Sequence, residues 1–341
     1  MVSSPETTCL PPDPAFAIVF NPSGTHAERG KEVIRNFEAS GRLAGVHETS
    51  PDSQKTHDEL TKDFAITDAD VVLLLAGDGS IMPAASAIRD SGNLNLAIAL
   101  GRSGGECDGQ HCTLGEEFLY TPECFSRLPV QNVRPTVTSG HSLKDGREIW
   151  RIESALYTAF GGALGQTAHD INGRRYRNTV RTLQRILPPE VAGLARTVLG
   201  ASVAANSVVF GGGRFVAADA NGRNPRFAST ITATTGGRMG GFLPLPDSLT
   251  KENLHVFGAE TAGELVAAAG RLLLGKCVED LVEHDSLSFQ ILTGEKPGDK
   301  RIRVMHDGET TMVPVPALVT VSRSVDYHIP MVYRRSTASA R

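Results

Sequence analysis

A continuous apolar segment that ends abruptly in a glycine turn constrains this chain more than any other feature. Residues 71–76 are all apolar, and Gly-Asp-Gly-Ser follows at 77–80. An uninterrupted apolar run is typical of a strand that is covered on both faces, as in parallel sheets. The following segment, 81–92, favours a helix, although Pro83 is tolerated only in its first turn. The order of strand, glycine turn and helix therefore predicts one βα unit of a parallel sheet.

The same order occurs before and after this unit. The β-rich segments at 16–20 and 93–100 are followed by the turn signals Asn-Pro-Ser-Gly (21–24) and Gly-Arg-Ser-Gly-Gly (101–105). Ligands of parallel α/β sheets bind at the carboxyl ends of the strands, and all three turns are expected at that edge. Glycine turns expose backbone N–H groups, which suit phosphate groups.

The second half of the chain has a different pattern. From about residue 135 short β-rich segments dominate, and we predict strand structure throughout 195–219. Asp-Gly pairs at 145–146 and 307–308 are hairpin signals. We therefore expect a mostly antiparallel β domain that carries a few helices.

Composition limits the classes of partner and compartment. A net charge of −4 argues against a protein whose main role is nucleic-acid binding. No segment approaches the roughly 20 apolar residues of a membrane span, and the N-terminus lacks the features of a secretory signal. The five cysteines form no disulfide-like pattern, which favours free thiols in a reducing cytoplasm. Cys107, His111, Cys112 and Cys124 lie close together but lack the Cys-x-x-Cys spacing of structural zinc sites.

The turns at 21–24 and 77–80 are the first candidate for a functional site. Their glycines let the backbone approach a polyphosphate closely, but the carboxylate of Asp78 would repel phosphate oxygens. Asp78 would therefore act through Mg²⁺ or hold the turn by accepting backbone N–H groups. In the alternative interpretation both are ordinary βα turns, and Asp78 is a helix N-cap.

Three segments together resemble the diacylglycerol kinase catalytic-domain family. They are FNPSG, LLAGDGS and the late Asp307-Gly308-Glu309, and VVFGGGRFVAADA (208–220) resembles the family's glycine-rich strand. The family includes bacterial lipid kinases and sphingosine kinases and is related to NAD kinases. The resemblance implies an α/β fold with a parallel-sheet nucleotide domain over 14–135 and a mostly antiparallel β-sandwich domain over 136–318. A C-terminal segment, 319–334, would return toward the first domain.

The resemblance also implies a site that binds ATP and Mg²⁺ between the two domains. Residues of the three glycine turns would line the ATP pocket: Asn21, Pro22, Ser23, Gly24, Gly77, Asp78, Gly79, Ser80, Gly104 and Gly105. Asp307 would be the general base for the acceptor hydroxyl, with Glu309 beside it, and Asp78 would organise the phosphate loop and the metal. Phosphoryl transfer chiefly requires positioning and charge neutralisation, so one Asp near the hydroxyl and Mg²⁺ are sufficient. The implied acceptor is a lipid or lipid-like alcohol of diacylglycerol or sphingoid type.

Departures from the family pattern support a second interpretation, a nucleotide-binding member that has lost catalysis. Ala76 replaces the first glycine of the second turn, the third turn aligns loosely, and Asn224-Pro225 stands where a family metal site has Asp-Gly. A serine hydrolase is a third interpretation, because residues 101–105 match Gly-x-Ser-x-Gly with Ser103 as the nucleophile. The segment that follows Ser103 is a poor helix, which weakens this interpretation.

A basic segment predicts contact with a membrane surface. Residues 174–187 favour an amphipathic helix whose basic side chains are Arg174, Arg175, Arg177, Arg181 and Arg185. Such a helix can reach anionic headgroups while a lipid enters the site, and the alternative is a solvated helix face. We expect a cytoplasmic protein, peripheral at the membrane, with no nucleic-acid partner; a homodimer is a further expectation.

Overall fold

In the computed structural model of the protein, strands alternate with helices in the first third of the chain and short strands dominate afterwards. The structure describes residues 8–334, except for 25–26, 51, 102–107, 116–117, 162–173, 189–190, 193–194, 196–197, 200–201, 204–213, 236–237, 240–242, 245–253, 262, 265–266, 269–270, 272–281, 297 and 308.

Five helices and 21 strands have bounds within the described residues. The helices are α1 (Ala27–Ala39), α2 (Ser53–Ile66), α3 (Ile81–Ser91), α4 (Asp108–Thr113) and α5 (Arg174–Ile186), and single 3-10 turns lie at Asp78–Ser80 and Pro122–Phe125. The strands are β1 (Thr8–Cys9), β2 (Phe16–Phe20), β3 (Leu43–Glu48), β4 (Val71–Leu75), β5 (Ala97–Leu100), β6 (Pro129–Val133), β7 (Thr136–Ser142), β8 (Glu148–Ser154), β9 (Tyr157–Phe160), β10 (Phe215–Asp219), β11 (Arg226–Ala228), β12 (Thr230–Thr234), β13 (Arg238–Met239), β14 (Leu243–Pro244), β15 (Leu254–Ala259), β16 (Val282–His284), β17 (Ser286–Ile291), β18 (Arg301–His306), β19 (Glu309–Pro314), β20 (Ala317–Arg323) and β21 (Ile329–Val332).

The chain divides into two structural units. The first contains the described residues of 1–135, 236–242 and 324–341, and the second contains those of 136–235 and 243–323. Apart from residues 236–242, which belong to the first unit, the second unit thus lies in the chain between β6 and β21. No helix in the described part of the chain is long and apolar enough to span a bilayer.

One seven-stranded sheet forms the centre of the first unit, in the order β1-β6-β21-β5-β4-β2-β3. The adjacent strands β3, β2, β4, β5 and β21 pair in parallel. At the other side of the sheet, β6 pairs antiparallel with β21, and β1 pairs antiparallel with β6. The chain leaves β2 for β3 on one side and then crosses to β4 on the other. The strand order therefore reverses between β2 and β4, which makes this the topological switch point of the sheet.

The apolar run that predicted a covered strand is buried as expected. Every residue of β4 is buried, and so is every residue of β2. An aromatic cluster fills the core beside the sheet, where Phe16 lies edge-on to Phe37 and Phe125 at centroid distances of 4.6 and 5.1 Å. Burial of large apolar side chains stabilises this unit and fixes the position of the strand ends.

The second unit is a β-sandwich of two six-stranded antiparallel sheets. One sheet has the order β11-β10-β17-β20-β7-β8 and the other β16-β15-β12-β9-β18-β19. Their inner faces form a single apolar core, in which Phe160 of β9 and Phe289 of β17 meet edge-on at 5.3 Å. The predicted fold class, a parallel α/β domain with a mostly antiparallel β-sandwich, is thus confirmed.

One secondary-structure prediction is wrong. Among the described residues of the segment 195–219, strand structure is found in β10, whereas the described residues between 195 and 203 are helical. The hydroxyl of Ser202 donates to the carbonyl of Val198 at 2.8 Å, the spacing of one helical turn. Periodicity does not separate a short apolar strand from a buried helix, and the Ala and Leu residues here favour a helix.

Candidate functional site

The first two glycine turns lie side by side at the carboxyl edge of the parallel sheet. Phe20 at the end of β2 is in register with Leu75 at the end of β4. The backbone N–H of Asn21 donates to the carbonyl of Leu75 at 3.1 Å, so the turns begin at the same level. They therefore flank the topological switch point, where ligands of such sheets bind.

The turn at 21–24 is held by its own asparagine. Asn21 Oδ1 accepts the backbone N–H of Ser23 at 2.9 Å, and the Asn21 carbonyl accepts that of Gly24 at 3.0 Å. Asparagine is favoured in such turns because its side chain takes the place of a backbone acceptor. Pro22 and Ser23 are left exposed to solvent.

The turn at 77–80 leaves open space in front of its first glycine. A Cβ atom built on Gly77 would meet no atom within 4 Å. The φ and ψ angles of Gly77, −80° and 169°, are accessible to any residue. Neither packing nor backbone conformation therefore requires glycine here, whereas the approach of a ligand to the backbone would.

Asp78 holds a neighbouring helix rather than capping its own. Its Oδ1 accepts the backbone N–H of Gly109, in α4, at 3.0 Å. The N-cap of α3 is Ser80, so the alternative interpretation of Asp78 as the cap of that helix is wrong. Gly109 belongs to α4 and not to the turn at 77–80, so both functional roles predicted for Asp78, binding of Mg²⁺ and holding of that turn, stay predictions.

The third turn begins at the same edge. The N–H of Gly101 donates to the carbonyl of Leu74 at 2.8 Å, which places the end of β5 beside β4. Gly104, Gly105 and the hydrolase candidate Ser103 lie outside the described residues. Their roles stay predictions.

Asp307 occupies a hairpin turn in the second unit. His306 at the end of β18 pairs with Glu309 at the start of β19, so the predicted Asp-Gly hairpin is confirmed. Asp307 has a φ angle of 45°, the left-handed conformation that two-residue hairpins require. The turn directs its carboxyl group into the protein, where only 2 % of the residue is exposed.

Three backbone N–H groups surround the Asp307 carboxylate. Ala155 donates to Oδ2 at 2.6 Å, and Leu156 and Tyr157 donate to Oδ1 at 2.8 and 3.2 Å. Burial nevertheless raises the pKa of Asp307 from 3.8 to about 7, because desolvation outweighs the three donors, and the nearby Glu309 raises it further. Asp307 can therefore exchange a proton near neutral pH.

The two neighbours of the turn have different environments. Glu309 is exposed at its surface, and partial desolvation raises the pKa of its carboxyl. His306 accepts or donates a hydrogen bond with the Thr311 hydroxyl at 2.9 Å, and burial lowers the pKa of its ring to about 4. His306 is therefore neutral at physiological pH, and Glu309 is the solvent-facing acid of this hairpin.

Sequence reasoning missed the partners that fix the two acidic candidates. Gly109 binds Asp78 from 31 positions away, and the donors to Asp307 lie about 150 positions before it. Neither partner has a side chain that distinguishes it in the sequence. The arginines predicted to contact a membrane lie in α5, but their side chains are outside the described residues.

The described residues do not by themselves build a site for Mg²⁺. They contain no group of three or more His, Cys, Asp or Glu side chains placed to hold a metal ion. Mg²⁺ in nucleotide sites needs only one or two carboxylates, because phosphates and water supply its other ligands. Asp78 is an acidic side chain at this edge, and its Oδ1 is already engaged by Gly109. The prediction that Asp78 binds metal stays a prediction.

Comparison with known proteins supports the fold. No protein-family model and no curated protein matches this sequence. Three solved structures from Bacillus anthracis strain Sterne match nearly the whole chain. Two are provisionally assigned as a diacylglycerol kinase. The first is 14% identical in sequence, has a TM-score of 0.59, and its match covers 94% of this chain and 98% of its own length. The second is also 14% identical, has a TM-score of 0.56, and its match covers 95% of this chain and 98% of its own length. The third, a diacylglycerol kinase structure, is 12% identical and has a TM-score of 0.54, and its match covers 94% of this chain and 97% of its own length. This chain therefore has the two-domain fold of these diacylglycerol kinase structures.

Proposed function

We propose that the protein is a phosphotransferase that moves the γ-phosphoryl group of ATP to a hydroxyl of a lipid or lipid-like alcohol. The convergence of the turns at 21–24 and 77–80 on the topological switch point is the observation that carries this proposal. Phosphate binding at that edge follows from general properties of parallel α/β sheets.

The nucleotide phosphates would lie in front of Gly77. The open space there lets phosphate oxygens reach backbone N–H groups of the turn. The exposed turn at 21–24 would flank the phosphates on the other side of the switch point. Mg²⁺ bound to the triphosphate would neutralise part of its charge, and it would be held chiefly by the phosphates.

Transfer would use Asp307 as the general base. The acceptor oxygen forms a bond to the γ-phosphorus, the bond between that phosphorus and the β,γ-bridging oxygen breaks, and ADP leaves. The hydroxyl proton passes to Asp307, whose pKa of about 7 suits a base at neutral pH. A carboxylate has about four lone-pair positions, and three are used by backbone donors, so one remains for the hydroxyl.

Acceptor binding has to open the surroundings of this carboxylate, because Asp307 is only 2 % exposed. Glu309, next to it and exposed, would support the base by electrostatic repulsion, since its charge raises the pKa of Asp307. The identity of the acceptor is tested with a panel that contains diacylglycerol, a sphingoid base and short-chain alcohols.

The first experiment measures nucleotide binding by calorimetry with ATP and Mg²⁺. Gly77→Val fills the open space without disturbing the backbone, so we expect at least a tenfold loss of affinity and an unchanged melting temperature. Ala44→Val, on the exposed face of β3, is the matched control and should bind like the unmodified protein. Equal affinity in Gly77→Val and Ala44→Val would place the nucleotide elsewhere and contradict the proposal.

The second experiment measures transfer of label from ATP to the acceptor panel. We expect Asp307→Asn to lose transfer by two orders of magnitude or more, because general bases commonly contribute 10²–10⁴-fold. Asp285→Asn, an exposed carboxylate of the same unit, is the control and should keep full activity. Undiminished transfer in a folded Asp307→Asn protein would remove Asp307 from the mechanism.

A nucleotide-binding protein without catalysis is the second candidate. The enclosure of Asp307 favours it, since a carboxylate that is 2 % exposed and bonded to three backbone groups also serves as a structural anchor. ATP binding that is sensitive to Gly77→Val, combined with no transfer to any acceptor, would select this function over the kinase.

A further inference from the structure

Asp78 is an acidic side chain at the proposed nucleotide edge, and its hydrogen bond with Gly109 points to a role other than metal binding. We propose that Asp78 is a positioning residue, whose carboxylate holds α4 against the ends of β4 and β5 and thereby fixes the edge at which the nucleotide binds. The inference rests on the proposed function, because it concerns the nucleotide site.

The two ends of the connection from β5 to α4 are hydrogen-bonded to β4 and to the turn that follows β4. At its start, the Gly101 N–H donates to the carbonyl of Leu74 at 2.8 Å. At its far end, the Gly109 N–H donates to Asp78 Oδ1 at 3.0 Å. The first tie is a continuation of the sheet ladder, whereas the second depends on one side chain. Asp78 is therefore the side chain that sets where α4 begins.

The fit around Gly109 shows how closely α4 approaches this carboxylate. A Cβ atom at position 109 would lie 2.6 Å from Leu100 Cδ1, 3.1 Å from Ile81 Cδ1 and 3.2 Å from Asp78 Oδ1. Only glycine lets the backbone come this close without displacing its neighbours.

The other side of α4 is fixed as well. The buried Thr113 hydroxyl donates to the Gly109 carbonyl at 2.9 Å, and the Arg334 N–H donates to the Thr113 carbonyl at 2.9 Å. The end of α4 at Thr113 is thus held by the Arg334 backbone, and loss of the Asp78 contact would release the opposite end, which lies at the proposed nucleotide edge.

The two possible roles of Asp78 require different chemistry. A metal ligand needs the negative charge, whereas a hydrogen-bond acceptor for Gly109 needs only an oxygen in the same place. Asp78→Asn keeps the Oδ1 acceptor and removes the charge, and Asp78→Ala removes both. The pair of variants therefore separates positioning from metal binding.

The test measures dissociation constants for ATP with and without Mg²⁺, together with hydrogen exchange of the peptide that contains Gly109. We expect Asp78→Asn to bind Mg²⁺-ATP within about threefold of the unmodified protein and Asp78→Ala to bind about tenfold more weakly, as for one lost hydrogen bond to a charged group. Exchange at Gly109 should be faster in Asp78→Ala and unchanged in Asp78→Asn.

Gly109→Ala tests the same contact from the helix side. It should weaken Mg²⁺-ATP binding as Asp78→Ala does, while Gly45→Ala, where the added Cβ meets only the His47 ring at 3.4 Å, should bind normally. If Asp78→Asn loses as much affinity as Asp78→Ala, and both lose the effect of Mg²⁺, the positioning role is wrong and nucleotide binding stands. If the unmodified protein binds no nucleotide, the proposed function fails, and the exchange measurement alone decides whether Asp78 seats α4.

Discussion

The buried carboxyl of Asp307 should make the stability of the second unit depend on pH in an unusual direction. Its pKa is about 7 in the folded protein and near 3.8 when exposed. The folded state therefore binds a proton more tightly than the unfolded state between these values. The stabilisation from this group is fully present below about pH 4 and is lost as the pH rises to 7.

The size of the effect follows from the two pKa values. At 1.36 kcal/mol per pKa unit, the rise from 3.8 to about 7 corresponds to a loss on the order of 4 kcal/mol. Burial also lowers the pKa of His306 from 6.5 to about 4. His306 therefore changes stability with pH in the opposite direction, because burial of its neutral ring destabilises the folded protein once the pH falls below 6.5. The contribution of His306 cancels when the free energies of unfolding of two proteins that both contain His306 are subtracted.

Asp307→Asn supplies that difference, because asparagine has the same shape and does not ionise. Urea unfolding at pH 4.5, 6 and 7.5 can be followed by the fluorescence of Trp150, the single tryptophan, which lies in the same unit as Asp307. We expect the stability advantage of the unmodified protein over Asp307→Asn to shrink by a few kcal/mol from the lowest pH to the highest.

A constant advantage, or one that grows with pH, would refute this reasoning. It would mean that the N–H groups of residues 155–157 stabilise the carboxylate more than burial destabilises it. In that case Asp307 would be ionised at neutral pH without cost, and its role as a tunable base would lose its physical basis.

Three further predictions concern packing and capping. Gly140→Ala should lower the free energy of unfolding by about 2 kcal/mol or more, because its Cβ would lie 2.0 Å from the Trp150 ring. The control Gly258→Ala, whose Cβ has its nearest contact at 3.7 Å, should change it by less than about 0.5 kcal/mol, and equal urea midpoints for the two variants would contradict this prediction. Phe125→Ala should cost about 3–5 kcal/mol in thermal unfolding, and a loss below 1 kcal/mol would show that the aromatic cluster is not a tight core. Asp52→Ala should cost about 1 kcal/mol by circular dichroism melting, because Asp52 accepts two N–H groups at the start of α2, and Asp52→Asn should restore most of it.

Local patterns in the sequence predicted the elements that build the carboxyl edge of the parallel sheet. The apolar run before Gly77 indicated a covered strand, because a glycine turn and a helical segment follow it, and the two similar units around it favoured a parallel sheet. The position of the glycine turns at one edge then followed from the direction of parallel strands. The Asp-Gly pair at 307–308 likewise predicted its hairpin, because few other dipeptides adopt the necessary backbone angles.

Contacts between distant parts of the chain could not be predicted in this way. The donors to Asp307 are backbone groups, so any sequence at 155–157 would supply them. Gly109 gave no signal because its requirement for glycine comes from Leu100 and Ile81, which approach it only in the folded protein. Residues 195–203 were predicted as strand because apolar segments of this length are compatible with both periodicities.

The place of β21 in the first sheet determines when that sheet can be completed during synthesis. Residues 329–332 lie between β5 and β6, in the interior of the strand order, although they are synthesised after the whole β-sandwich. Until then β5 and β6 lack their shared neighbour, and their unpaired edges are open to association with other chains. The β-sandwich ends at residue 323 and so is complete in sequence before the seven-stranded sheet is. A chain that ended shortly before residue 329 would therefore contain the full sequence of the sandwich but a first sheet that lacks one of its interior strands.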